Sequence, residues 1–200
     1  MKHSIHYDKL WDAFKEGSKT AFGEIYQKYA ALLLNYGSKI NSDNSLIEDS
    51  IQDLFVDLWN SRKKVSRTSS VKFYLFKALR YKIIRNKSIS HSDEMEPLEN
   101  YMSLLKNSSH EDHCIEMEVQ SFQMKRLRDT LAKLPARQRE AINLRYFHNF
   151  SNEEIAGIMG INYPSACKFI YAGLKKLTEN LKMSVMEILI FLCCVDVLMC

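Results

Sequence analysis

Residues 131–181 read LAKLPARQREAINLRYFHNFSNEEIAGIMGINYPSACKFIYAGLKKLTENL, and the local chemistry of this stretch predicts two short helices joined by a tight turn. Ser151 stands three residues before Glu154, the spacing of a capping box, in which the hydroxyl accepts from a backbone N–H of the first turn while the carboxylate reaches back. Ile155, Ala156 and Met159 make the apolar side of the helix that follows. Gly160 then sits where the chain must turn sharply, a position at which the lack of a Cβ permits positive φ. Pro164 opens a second helix, its fixed φ being suited to a first turn. Ala166, Ile170, Leu174, Leu177 and Leu181 recur at three- and four-residue steps and are expected to bury one side. The other side offers Ser165, Lys168, Ala172 and Lys175, with Tyr171 beside them. Polar and cationic groups on one exposed helix face are what a helix-turn-helix presents to a DNA major groove.

Around this stretch the 200 residues have the composition of an ordinary globular protein, 46% hydrophobic and 26% charged, of a length that suits two small domains. The formal net charge is only +4, but charge is segregated along the chain, and local fields steer partners more than the total does. Residues 62–87 hold ten Lys and Arg and no acid, whereas residues 43–57 hold Asp43, Glu48, Asp49, Asp53 and Asp57 and no base. Residues 93–118 are acidic again, relieved only by Lys106. Five cysteines, Cys114, Cys167, Cys193, Cys194 and Cys200, form no CxxC pair, and their odd number argues against a disulfide framework. With no apolar core of signal-peptide length before Trp11, the expected location is the cytoplasm.

Six glycines, three prolines and long runs at helical period predict an all-α chain. Phe22, Ile25, Tyr26, Tyr29, Leu33 and Tyr36 form one apolar helix face. Ile47, Ile51, Leu54, Phe55 and Leu58 form a second, after a polar break at residues 41–45. A third helix is expected from about Val71 to Arg85. Beyond it, residues 87–116 lose periodicity and gain Ser, Asn, His and acid, as a solvated linker does. The expected organisation is therefore a domain at 1–87, an acidic linker at 88–117, a helix-turn-helix domain at 118–182 and an apolar tail at 183–200.

The second and third helices carry more than core. In IEDSIQDLFVDLWN (residues 47–60), Asp49, Gln52 and Asp53 lie away from Ile51, Leu54 and Leu58 and make a compact acidic patch. In VKFYLFKALRYKIIRNK (residues 71–87), aromatics alternate with cations. Aromatic rings stack on unpaired bases while cations hold phosphates, the combination that single-stranded nucleic acid requires. Leu75, Phe76, Leu79 and Ile83 are expected inward, leaving Phe73, Tyr74 and Tyr81 toward bases.

Three stretches in this order resemble the extracytoplasmic-function group of bacterial sigma-70 factors, over about residues 21–87 and 130–181. EDSIQDLFVDLWN resembles the group's core-polymerase-binding segment, FYLFKALRYKIIRN its promoter-melting and −10-reading helix, and LPARQREAINLRYFHNFSNEEIAGIMGIN its −35-reading domain up to the turn. The resemblance implies a protein without an active site, cofactor, metal or small-molecule substrate. Its partners are core RNA polymerase, promoter DNA as −35 duplex and −10 single strand, and an anti-sigma factor, most often membrane-bound. Carried onto this chain, Asp49, Gln52 and Asp53 dock the polymerase. Tyr74, Arg80, Tyr81, Lys82 and Arg85 meet −10 DNA, and Ser165, Lys168, Tyr171 and Lys175 meet −35 DNA. The linker lies near the RNA exit route, where its acid can mimic nucleic acid. This chain departs from many relatives at Cys167 and Ala172, where basic residues are common, and at Gly173, where another small residue is. Fewer cations mean fewer phosphate contacts, and a glycine within a helix costs about 1 kcal/mol against alanine.

Two further stretches invite other chemistry. The tail MSVMEILIFLCCVDVLMC (residues 183–200) is about as long as the shortest membrane span, roughly 17 residues. Its nine Leu, Ile, Val and Phe residues, at about −0.3 to −0.6 kcal/mol each, are nearly offset by Glu187 and Asp196 at about +2.5 to +3.5 each. A protein contact is the favoured role, either folded back on the domains or with an inhibitory partner, and removing the tail is expected to raise solubility and retain promoter binding. His110, His113 and Cys114, in HEDHC, have irregular spacing and no evident fourth ligand, so no zinc is expected. No Gly-rich phosphate loop, HExxH or nucleophile elbow is present to support catalysis. The alternative to a sigma factor is a free-standing helix-turn-helix regulator acting on duplex operators, with N-terminal helices that only dimerise.

Overall fold

The computed structural model describes residues 2–65, 70–90 and 126–181. The described residues are helical, with turns between, and contain no strand. The chain divides into two compact units, Met1–Leu98 and Glu99–Cys200. Residues 88–90, expected to begin the acidic linker, are the last residues of a helix; the rest of that linker, the His110, His113 and Cys114 group and the tail at 183–200 lie outside the described residues.

The N-terminal unit contains α1 (Lys2–Lys15), α2 (Lys19–Gly37), α3 (Asn44–Ser61) and α4 (Val71–Ser90). Short polar side chains start three of these helices by accepting a backbone N–H that has no intrahelical partner. Ser18 Oγ accepts from Ala21 N–H at 3.2 Å for α2, Asp43 Oδ1 from Leu46 N–H at 3.1 Å for α3, and Ser70 Oγ from Phe73 N–H at 3.1 Å for α4. The apolar faces then meet. Leu33 and Tyr36 of α2, Ile47, Leu54 and Leu58 of α3, and Leu75, Phe76, Leu79 and Ile83 of α4 are almost fully removed from solvent. Tyr36 stacks on Phe76 with ring centroids 4.9 Å apart. Burying a side chain of this size contributes about 1.5–3 kcal/mol, so this interior is the main term holding the four helices together.

Two expectations change here, and the core gains one element not expected from the sequence. Tyr26, assigned to the inner face of α2, is 43% exposed and lays its ring edge against Phe55 at 4.8 Å instead. The third predicted helix runs on from Arg85 to Ser90, since residues 86–90 include no Pro or Gly to stop it. Asn86 Nδ2 also donates to Ser50 Oγ at 3.1 Å, fixing this extension to α3. Finally, α1 joins the core: Trp11 and Phe14 are buried, with Phe14 5.9 Å from Phe22 and Trp11 6.0 Å from Tyr74 between ring centroids.

In the C-terminal unit, helical residues 126–132 precede α5 (Ala136–Ile142), which passes directly into a π-helical turn at Asn143–Phe147. Next come α6 (Asn152–Met159) and α7 (Tyr163–Leu181). The wide turn is closed by Phe150 N–H, which donates to Leu144 O at 3.1 Å, and by Arg145 Nη1, which donates to Phe150 O at 3.0 Å. Asn149 sits there at φ 52°, a conformation that Asn adopts more readily than most residues. Ile142, Leu144, Ile155, Ile158, Met159, Ala166, Ile170 and Leu177 form the core.

Candidate nucleic-acid and protein interfaces

The helix-turn-helix is built by its caps. Glu154 N–H donates to Ser151 Oγ at 3.2 Å and Ser151 N–H to Glu154 Oε2 at 2.9 Å, so both arms of the capping box are closed. The neighbouring Glu153, at the same positive helix end, has its carboxyl held below the ordinary value by its own backbone N–H and by the Ser151 hydroxyl. Gly160 ends α6 in the left-handed region at φ 64°, and Ile161 N–H donates back to Ala156 O at 3.0 Å. The second helix starts one residue earlier than Pro164. Asn162 caps it through Oδ1, which accepts from Ser165 N–H at 2.9 Å, and Pro164 lies within the first turn. Asparagine is among the best N-caps, so that signal was present in the chain.

On α7 the buried row is Ala166, Ile170, Gly173, Leu177 and Leu181, with Gly173 in the place expected for Leu174, which is half-buried. Gly173 is required there. A Cβ on it would lie 2.8 Å from Ile142 Cγ1 and 3.2 Å from Ile142 Cδ1, so the glycine lets α7 approach α5 closely. Helix propensity lost at this position is the condition for that packing rather than a defect. The opposite face is open: Lys168 and Lys175 are exposed, Tyr171 is 70% exposed, and Ser165 and Ala172 are partly so. Lys175 lies 3.9 Å from Glu179, a solvent-exposed pair of little energetic weight.

In the N-terminal unit, α4 sorts its five candidate DNA residues into different environments. Tyr81 is 68% exposed and Arg85 is also on the surface. Arg80 is only 8% exposed, because it falls four residues after Phe76 and three before Ile83 and so lies on the buried row. That takes it off the open face. Lys82 pairs with Asp57 of α3 at 2.6 Å, so one cation of α4 is neutralised from within the unit. Tyr74 is half-buried beside Trp11, and its hydroxyl pKa is raised first by burial and then by the charge of Asp57. Phe73 carries Lys77 Nζ above its ring at 5.7 Å. Ile84, which was not singled out in the sequence, is 42% exposed one turn from Tyr81 and extends its apolar surface. Its spacing of three from Tyr81 was the available signal.

Asp49, Gln52 and Asp53 are all exposed on α3, opposite the buried Ile51, Leu54 and Leu58. Val56, 56% exposed, and Asp57 lie one turn further along the same helix. Acid surrounding an exposed apolar side chain can meet a basic protein surface by charge and burial together. Among the described residues no group of His, Cys, Asp and Glu is arranged to hold a metal ion, and no helix is long and apolar enough to cross a membrane.

Residues 25–91 match the family described as Sigma-70 region 2, and residues 124–177 match Sigma-70, region 4. Together these cover more than half of the chain. The RNA polymerase sigma factor SigZ of Bacillus subtilis (strain 168) is 24% identical over 178 residues, covering 89% of this chain and 88% of that protein. In fold, the protein is similar to CnrH, solved in complex with the cytosolic domain of CnrY, at a TM-score of 0.57 and 19% identity. That match covers 88% of this chain and 96% of CnrH. It is also similar to the sigma factor RpoE of Bartonella quintana, solved with the anti-sigma factor NepR. There the TM-score is 0.55 at 23% identity, over 82% of this chain and 98% of RpoE. With α3 and α4 inside the region 2 match and the capped helix pair inside the region 4 match as far as Leu177, the chain belongs to the sigma-70 family of RNA polymerase sigma factors.

Proposed function

We propose that the protein is an alternative sigma factor whose three exposed faces divide the work of promoter use. The acidic face of α3, with Asp49, Gln52 and Asp53, docks core RNA polymerase. The outward face of α4, led by Tyr81 and Arg85, holds the −10 strand, and the outward face of α7, with Ser165, Lys168, Tyr171 and Lys175, meets the −35 duplex. Two domains carry these roles, the first extended from the expected limit at 87 to the end of α4 at Ser90 and the second at 118–182, joined by the linker between them. The observation that carries the assignment is the opposition of character on adjacent helices: acid and an exposed Val56 on α3, aromatic and cationic groups on α4. A protein that needed DNA alone would have no use for the first face.

The work is binding and strand separation, which needs no catalytic group of its own, and its site is the cytoplasm, where polymerase and promoters are. The RpoE and CnrH structures were solved with NepR and with the cytosolic domain of CnrY, which supports an inhibitory anti-sigma partner for this chain as well. Size-exclusion co-elution with core polymerase tests the docking face. Asp53→Lys is expected to reduce co-elution while leaving the helical spectrum unchanged, and undiminished binding would remove Asp53 from that face.

A further inference from the structure

One edge of the outward face of α7 is apolar in a way that charge-based DNA binding does not use. Tyr163, Cys167 and Tyr171 follow one another at four-residue steps, so their side chains form a single ridge. Tyr171 is 70% exposed and Tyr163 48%, two large rings held in solvent by a well-packed helix. Cys167 lies between them, half-buried, its Sγ accepting from Asn152 Nδ2 of α6 at 3.3 Å. The same thiol is the chief cause that raises the pKa of the Tyr163 hydroxyl. The middle of the ridge is thus anchored to α6. From Asn152 to Leu181 the chain has no arginine, Lys168 stands beside the ridge, and the ridge line itself reaches a cation only at Lys175.

In the major groove guanine is most often read by Arg or Lys, adenine by Asn or Gln, and thymine through its C5 methyl by apolar contact. A surface with one central lysine and an apolar ridge fits the last of these. We infer that Tyr163, Cys167 and Tyr171 read thymine methyl groups in the duplex element that α7 enters, leaving Lys168 for one guanine or one phosphate. Eight residues of helix span about 12 Å, which covers three to four base pairs at about 3.4 Å each. The element is therefore expected to carry thymines within one such run. This inference rests on the proposed duplex reading by α7 and specifies the base chemistry it takes.

The test uses holoenzyme assembled from the full chain and core RNA polymerase, on a duplex promoter recovered by run-off transcription from the source genome. Each thymine of the upstream element is replaced in turn by uracil, which removes only the methyl. Binding is expected to fall about fourfold for each methyl read, equally at low and high salt because no charge changes. Tyr171→Ala is expected to abolish the loss at one thymine and Tyr171→Phe to retain it, whereas Lys168→Ala weakens thymine and uracil duplexes by the same factor. Equal affinity for both duplexes would overturn the inference. So would uracil sensitivity that survives Tyr163→Ala, Cys167→Ser and Tyr171→Ala together. A chain that forms no holoenzyme overturns the proposed function and this inference with it; a holoenzyme indifferent to uracil overturns this inference alone.

Discussion

Gly173 and Ile142 occupy one space between α7 and α5. A Cβ at Gly173 would lie 2.8 Å from a side chain that is itself fully buried, so it cannot be accommodated by a swing into solvent. Overpacking of this kind costs about 1–3 kcal/mol, against a gain of about 1 kcal/mol in helix propensity. Gly173→Ala is therefore expected to lower unfolding free energy by about 1 kcal/mol in urea denaturation, and a rise would mean that Ile142 yields. Ser151 is the second residue on which the hairpin depends. It supplies one arm of the capping box and receives the other, so Ser151→Ala is expected to cost about 1 kcal/mol in the same measurement. Ser151, Glu154 and Gly160 were legible in the chain because each acts on its own neighbours. The role of Gly173 was not, because the atom it makes room for belongs to Ile142, thirty-one positions away.

At the scale of the element, α4 separates a packing residue from a candidate contact residue within one step. Arg80 faces inward at 8% exposure and Tyr81 outward at 68%. Tyr81→Ala is expected to leave the melting temperature nearly unchanged while weakening binding of holoenzyme to single-stranded −10 DNA, by about 1–3 kcal/mol if one base is stacked on the ring. Unaltered binding would take Tyr81 out of the interface. Lys82 makes a different case, since Asp57 already holds it at 2.6 Å. Asp57→Asn releases that charge, and the salt dependence of single-strand binding is expected to steepen by about 0.7 in the log–log slope, one added phosphate contact. An unchanged slope would mean that Lys82 does not reach the strand. Alternation of aromatic and basic types marked α4 as a candidate. It did not tell Arg80 from Arg85, although the period did: Arg80 is four residues after Phe76 and three before Ile83, on the buried row, and Arg85 is not.

At the scale of the whole molecule, the helices expected in the described residues of both units were legible, since apolar period and polar caps are properties of each segment. What escaped was contact across distance: Trp11 and Phe14 of α1 closing the N-terminal core, and Tyr26 turned outward onto Phe55. The π-helical turn at Asn143–Phe147 escaped for a similar reason, being closed by bonds to Phe150, which lies beyond its end: Phe150 N–H donates to Leu144 O, and Arg145 within the turn donates to Phe150 O. Function is distributed over the two units in the same manner. In the proposed function neither the acidic face of α3 nor the outward face of α7 completes a task alone, and the polymerase would join them.

Whether this chain acts on promoters as part of RNA polymerase is decided by mixing the purified full chain with bacterial core polymerase. Co-elution is measured first, and run-off transcription from promoters of the source genome follows. A stable complex is expected, with promoter-specific transcripts that core polymerase alone does not make. No association, together with tight binding of duplex DNA by the protein alone, would contradict that expectation and identify a free-standing regulator.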